Sequence, residues 1–169
     1  GKHAMAPLAV RGKEQVANAR ALQATPLNYS IFNVGPMING EYPDFSPVLS
    51  VDGNALFFTS RRIRPDSSNR GMLDPLAGMP HENIYVSFKD REGNWQPAEL
   101  LNINPPGAGH MAVVNVSADG QTLVIYRDDG GDGNLYESKL VGELWSDPVL
   151  MGSDINTKAW ETHGALTAD

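Results

Sequence analysis

The fold is decided by the stretch Phe45-Ser46-Pro47-Val48-Leu49-Ser50-Val51-Asp52-Gly53, because the chain repeats its pattern. The second copy runs Val113-Val114-Asn115-Val116-Ser117-Ala118-Asp119-Gly120, and the third begins at Gly164-Ala165-Leu166-Thr167-Ala168-Asp169. An Ile-Asn pair precedes each copy, as Ile38-Asn39, Ile103-Asn104 and Ile155-Asn156. A repeat of about 50 residues with strand-like texture predicts the blades of a β-propeller.

Each copy is followed by strand signals at matching distances. In the first repeat, short apolar runs separated by turn signals predict strands at 47–50, 55–60, 84–89 and 95–100. The Asp-Gly pair between the first two strands is a hairpin signal, because glycine adopts positive φ at little cost. In the second repeat the corresponding strands fall at 113–117, 122–126, 135–139 and 145–150.

The two repeats differ in one feature and share another. The first repeat carries an extra segment, residues 61–82, which predicts a loop insertion on one face of the propeller. Trp95 and Trp145 recur at the same place in the fourth strand, so we expect them to pack between neighbouring blades.

The predicted architecture is all-β, a partial β-propeller with a short N-terminal helix. Residues 1–9 are interpreted as a tag or disordered start, and 10–28 as the helix and its linker, which ends before Pro26. The remaining chain, 29–169, is the N-terminal part of the propeller. Its four-stranded blades are predicted at about 44–101 and 112–151, with the first strand of a third blade at about 162–169.

The composition excludes several classes of function. The 169 residues carry a net charge of -7, which disfavours nucleic acid and anionic membrane surfaces as partners. No apolar run reaches the roughly 18 residues of a membrane span. Because there is no cysteine, disulfides and thiolate chemistry are excluded.

An acidic loop in the second repeat is a candidate metal site. Its oxygen-bearing side chains belong to Asp128, Asp129, Asp132 and Asn134, and glycines separate them. Such a loop suits a hard cation such as Ca²⁺. The alternative is a solvated hairpin turn, because aspartate, asparagine and glycine all favour turns.

Candidate partner contacts come from a few charged residues. The arginines concentrate in or beside the inserted segment and could grip an anionic partner, unless they bond between blades or stay in solvent. Two acidic residues near the inner strands could line a central channel. The candidates are Arg61, Arg62, Arg64, Arg70, Asp44 and Glu161.

The sequence offers no persuasive catalytic set. Ser50 and Ser117 occupy the same position in two repeats, which indicates a turn element rather than a unique nucleophile. His110 and His163 could bind a metal with Glu161, but they lie at different offsets within their repeats, which favours structural roles. We therefore expect a protein that is not an enzyme.

Longer phrases carry a resemblance to a known family. The pattern at 50–60 followed by Ile84-Tyr85-Val86-Ser87 resembles the WD40-like (PD40, TolB-type) propeller repeat. The phrases at 33–47, 58–62 and 155–163 resemble envelope proteins of the Bacteroidetes kind, including PorE-like components of the type IX secretion system. In that family a tetratricopeptide region precedes the propeller, and an OmpA-like peptidoglycan-binding domain follows it.

The resemblance implies a non-catalytic scaffold in the periplasm, associated with the outer membrane and with other secretion proteins. Peptidoglycan would be bound only through an OmpA-like domain that these residues do not include. Because part of a propeller leaves blade faces open, we expect the rest of the propeller or a second chain to complete it. The alternative is a ligand- or metal-binding propeller with a hydrolase-like role in peptide or glycan processing, using Asp44 and Glu161 at the channel.

Overall fold

The computed structural model describes residues 2–105, 107, 109–128 and 130–167 of the chain. These residues form two compact units, Gly1–Asn33 and Val34–Asp169. The first unit holds the one helix, and the second unit holds all the strands of the described chain.

The helix of the first unit, α1, spans Lys2–Ala24 and therefore begins earlier than the sequence predicted. Ala6, Leu8 and Ala9 have high helix propensity, although Pro7 also lies inside the helix. The helix ends before Pro26, as expected. Its apolar side chains are not buried, since Val16 is 53% and Leu22 71% exposed.

The second unit consists of two antiparallel sheets, which are the two predicted blades of a partial propeller. Blade one has the strand order β1-β2-β3-β4, and blade two has the order β5-β6-β7 with β8 and β9 both paired to β7. The strands of blade one are β1 (Asp44–Leu49), β2 (Ala55–Ser60), β3 (Asn83–Phe88) and β4 (Glu99–Leu100). Those of blade two are β5 (Met111–Val116), β6 (Thr122–Asp128), β7 (Gly133–Val141), β8 (Leu144–Trp145) and β9 (Val149–Leu150).

The two innermost strands share a local irregularity. The register of β1 against β2 shifts between Phe45 and Val48, and that of β5 against β6 shifts between Val113 and Asn115. A shift of this kind marks a β-bulge, which bends the strand and increases its twist. The repeat is therefore reproduced in backbone geometry as well as in sequence.

The outer strands are shorter than predicted. In blade one only Glu99–Leu100 pairs continuously with the third strand, with an isolated bridge between Lys89 and Trp95, and in blade two the pairing is split between Leu144–Trp145 and Val149–Leu150. Pro97 and Pro148 explain the interruption, because proline has no N–H to donate to a ladder.

The predicted first strand of a third blade is not formed in the part of residues 162–169 that the structure describes. Residues 161–167 have no regular structure, and 168–169 lie outside the described residues. Strand geometry needs a paired neighbour, and no described strand pairs with this segment. Instead, the Leu166 N–H donates to Asn115 Oδ1 at 3.2 Å.

The larger apolar core lies between the blades, and the smaller one lies on the opposite face of blade one. Side chains alternate across β2, so Phe57 packs in the larger core and Phe58 in the smaller. Trp145 is buried in the larger core, where its ring meets that of Phe57 edge-on at 5.9 Å. Trp145 thus packs between blades as predicted.

Candidate functional site

The inserted segment is held against blade two by a charged network. Arg61 bonds Asp74 at 3.1 Å and Glu82 at 3.2 Å, and Glu82 in turn contacts His110 Nδ1. The ring of His110 stacks on that of His81 with centroids 4.3 Å apart. Since His110 immediately precedes β5, the network joins the insertion to the start of blade two.

The charged groups of this network are paired with one another. The pKa of Asp74 lies below its ordinary value, chiefly because the Leu76 N–H donates to its carboxylate and the Arg61 charge assists. The arginine charge and both carboxylates are therefore committed to one another. Sequence reasoning missed Asp74, Glu82 and His81, because the insertion has no counterpart in the second repeat.

Arg62 and Asp44, both predicted partner contacts, bind each other. One guanidinium nitrogen of Arg62 donates to Asp44 Oδ1 at 2.7 Å and to the Ile38 carbonyl at 2.6 Å. Burial raises the pKa of Asp44, but hydrogen bonds from Ser60, the Gly40 N–H and Arg62 outweigh it, so the pKa lies below its ordinary value. The pair fixes the segment before β1 onto blade one.

The remaining two arginines are placed very differently. Arg64 is only 4% exposed, and its guanidinium donates to Asn83 Oδ1 and to the carbonyls of Asn104 and Pro105. Arg64 therefore connects the inserted segment to β3 and to the residues that precede blade two. Arg70 is exposed and stays available to a partner.

The acidic loop has the hydrogen bonds of a turn. Asp128 Oδ1 accepts from the N–H groups of Gly130 and Gly131, at 3.2 and 2.7 Å. Both glycines have φ of 98°, which favours glycine over other residues. Asn134 donates its side-chain N–H to the Asp132 carbonyl at 3.3 Å.

The same loop lies beside Glu161, which the sequence had placed at the channel. The Glu161 N–H donates to the Gly133 carbonyl at 2.9 Å, while its carboxylate accepts from Thr157. Among the described residues, no group of three His, Asp or Glu side chains is arranged to hold a metal ion. Asp129 lies outside them, so the metal site stays a prediction.

Asparagines of the repeated Ile-Asn pair have a function that the sequence did not reveal. Asn104 Oδ1 accepts from the Ile84 N–H, and its Nδ2 donates to the Ile84 carbonyl, both at 3.0 Å. Asn156 makes the same two bonds with Leu135, at 2.8 and 2.9 Å. Each amide thus takes the place of a strand neighbour at the start of the third strand, and we call this arrangement the asparagine clamp.

Asn39, the asparagine of the first Ile-Asn pair, does not form this clamp with any described residue. Its side chain is partly exposed, and none of the described residues forms a hydrogen bond with it. The signal for the clamp was the recurrence of Asn after Ile, but recurrence does not say which atoms the amide meets.

The candidate functional site is a surface of blade one. It lies on the face of blade one turned away from blade two and includes Asn39 with its exposed neighbour Met37. No protein-family model matches the chain, and no curated protein matches it. Within the described residues, no helix has both the length and the apolar character needed to cross a membrane.

Proposed function

We propose that the chain is a non-catalytic protein-interaction scaffold, the N-terminal part of a propeller of about six blades. The resemblance to envelope propellers supports a role in the periplasm, in an outer-membrane-associated assembly such as the type IX secretion machinery. In that setting its partners are other secretion or envelope proteins, and peptidoglycan is reached only through an OmpA-like domain beyond these residues.

The observation that carries the proposal is that Asn39 forms no asparagine clamp with the described residues. Asn104 and Asn156 each hold the third strand of the blade that precedes them in the chain. By the same geometry, Asn39 is placed to hold the third strand of a blade that would lie before blade one. We infer that a strand from the rest of the propeller, or from a second chain, supplies the backbone N–H and carbonyl for Asn39.

The apolar surface around Asn39 supports the same inference. Met37 is 47% and Val34 46% exposed. Trp95 is half-buried against the smaller core, whereas its counterpart Trp145 is buried in the larger core between the blades. A neighbouring blade would cover these side chains, and burial of apolar area contributes about 25 cal/mol per Å².

The test is the molar mass of the purified chain, measured by light scattering after size-exclusion chromatography. In such a sample the polypeptide available to cover the open face is a second copy. We expect a mass above the 18.3 kDa of one chain, rising with concentration. A monodisperse mass of 18.3 kDa at every concentration would contradict the proposal.

A double variant, Met37→Gln with Asn39→Ala, locates the association. Both side chains are at least partly exposed, so we expect the variant to fold normally and to associate less. Leu76→Gln is the matched control, because Leu76 is 99% exposed on the inserted segment. Equal association of the double variant and the control would mean that another surface is responsible.

One observation favours the alternative of a ligand- or metal-binding propeller with a hydrolase-like role. Asp132 Oδ1 is buried and meets no hydrogen-bond partner among the described residues. A cation would satisfy this oxygen. Melting with Ca²⁺ and with a chelator tests it: a rise in Tm with Ca²⁺ that Asp132→Asn abolishes would favour the alternative, and identical melting would count against it.

A further inference from the structure

A cleft of about 750 Å³ lies between the two blades, at the end where the hairpin turns of both meet. Its volume is in the range of ligand sites, roughly 300–1,000 Å³. Much of its lining is apolar and comes from both blades. The apolar lining residues include Ala55, Phe57, Phe88, Val116, Leu140 and Trp145.

The rim of this interblade cleft is acidic. Asp52 lies in the β1–β2 turn, Asp119 in the β5–β6 turn and Glu143 in the β7–β8 turn. None of the described residues that line the cleft is lysine, arginine or histidine. The negative charge is therefore not neutralised within the lining.

Part of this charge is free to meet a ligand. Asp119 Oδ1 accepts from Ser117 and from the Gln121 N–H, whereas its Oδ2 accepts from none of the described residues. The Glu143 side chain is exposed and likewise has no hydrogen-bond partner in the described chain. An occupant with cationic groups could bind these oxygens without displacing a bond.

We propose that the interblade cleft binds a short peptide segment in which lysine or arginine alternates with apolar residues. The floor requires apolar side chains, and the rim requires positive charge. Because the carboxylates come from three separate turns, an occupant that neutralises more than one of them needs more than one cationic group. A peptide strand meets this requirement, since its side chains project at regular intervals along an extended backbone.

The experiment uses a blocked hexapeptide in which lysine and leucine alternate, titrated into the chain and followed by NMR. We expect saturable shifts at the floor residues Val116 and Leu140, and weaker binding at higher salt, because salt ions screen the exposed charges of the rim. A hexapeptide in which glutamate replaces lysine should not bind. Absence of saturable binding by the lysine peptide, or equal binding of both peptides, overturns the proposal.

A charge-reversal pair of variants separates this cleft from general attraction to an acidic protein. Glu143→Lys should weaken binding of the lysine peptide about tenfold, because it adds a like charge at the rim. Glu92→Lys makes the same change of net charge in the corresponding turn of blade one, outside the cleft, and should bind as the wild type does. Equal weakening by both variants overturns the assignment to this cleft. The outcome is independent of the proposed blade completion, because Asn39 is not a lining residue.

Discussion

Arg64 shows at the scale of one residue how the inserted segment becomes part of the fold. Its Nε and one terminal nitrogen both donate to Asn83 Oδ1, at 3.1 and 2.5 Å, and the terminal nitrogen also reaches the Asn104 carbonyl at 3.1 Å. These acceptors lie in β3 and in the approach to blade two. A buried guanidinium is stable only when its donors are met in this way.

We predict that Arg64→Met destabilises the chain by about 2–3 kcal/mol, since it removes charged hydrogen bonds and leaves buried acceptors unpaired. Methionine keeps most of the apolar stem, so the loss reports the guanidinium. Arg70→Met is the control and should change the free energy of unfolding by less than about 0.5 kcal/mol, because Arg70 is exposed. Urea denaturation of the two variants measures both values. Equal stabilities would show that the buried bonds contribute nothing.

The arginines also mark a limit of sequence reasoning. The sequence showed that the arginines cluster, and it allowed two interpretations, contact with a partner or hydrogen bonds between blades. Composition could not separate Arg64 from Arg70, because burial depends on where the insertion folds. That path is set by contacts such as Arg61 with Asp74 and Glu82, which join residues far apart in sequence.

At the scale of elements, the Ser-x-Asp-Gly turn has the same hydrogen bonds in both blades. Ser50 Oγ donates to Asp52 Oδ1 at 2.5 Å and accepts from the Ala55 N–H at 2.9 Å. Ser117 makes the equivalent bonds with Asp119 and Thr122, at 2.5 and 2.9 Å. The two serines are turn elements, as their recurrence predicted.

The turn makes part of the stability depend on pH. The hydrogen bond from Ser117, with that from the Gln121 N–H, holds the pKa of Asp119 below its ordinary value of 3.8. A lowered pKa means that the ionised carboxylate stabilises the fold above pH 3.8, and that this stabilisation is lost as the pH falls through the folded-state value.

We therefore expect Asp119→Asn to lower the urea midpoint at neutral pH, and to match the wild type once the pH is low enough to protonate Asp119. Asp154→Asn serves as the control, because Asp154 is exposed and has no described hydrogen-bond partner. Its difference from the wild type should be small at every pH. A constant difference for Asp119→Asn from neutral to acid pH would contradict the role of the ionised carboxylate.

Strand positions were predicted best where the local signal was strongest. The strand β2 matches its predicted range, since Asp52-Gly53 fixes where the hairpin turns. The fourth strands were predicted too long, because proline at Pro97 and Pro148 interrupts a ladder that the apolar pattern suggested. Their pairing depends on β3 and β7, and that dependence is not visible in the strands' own residues.

At the scale of the whole molecule, the repeat predicted the blades but not what joins them. Hydrogen bonds as well as apolar contacts hold the two blades together. Asn102 donates to the Trp145 carbonyl at 2.7 Å and accepts from its N–H at 3.1 Å. The Val113 N–H also donates to Thr59 Oγ1 at 3.2 Å. These bonds cross the blades between residues more than 40 positions apart, a separation that pattern reasoning along the chain cannot bridge.

The asparagine clamp gives the sharpest prediction at this scale, because Asn104 binds the backbone of a third strand whereas Asn39 binds no such strand in the described chain. Asn104→Ala leaves the Ile84 N–H buried without its partner, whereas the Ile84 carbonyl keeps the Leu101 N–H at 3.0 Å, so we expect a loss of about 1–3 kcal/mol in the free energy of unfolding. Asn39→Ala makes the identical change where the amide bonds nothing in the described chain, so the free energy of unfolding of the monomer should stay within about 0.5 kcal/mol of the wild type. Urea denaturation at low protein concentration, where association is absent, compares them directly. A loss in Asn39→Ala equal to that in Asn104→Ala would mean that Asn39 already has its strand, and the open face of blade one would then need no further blade.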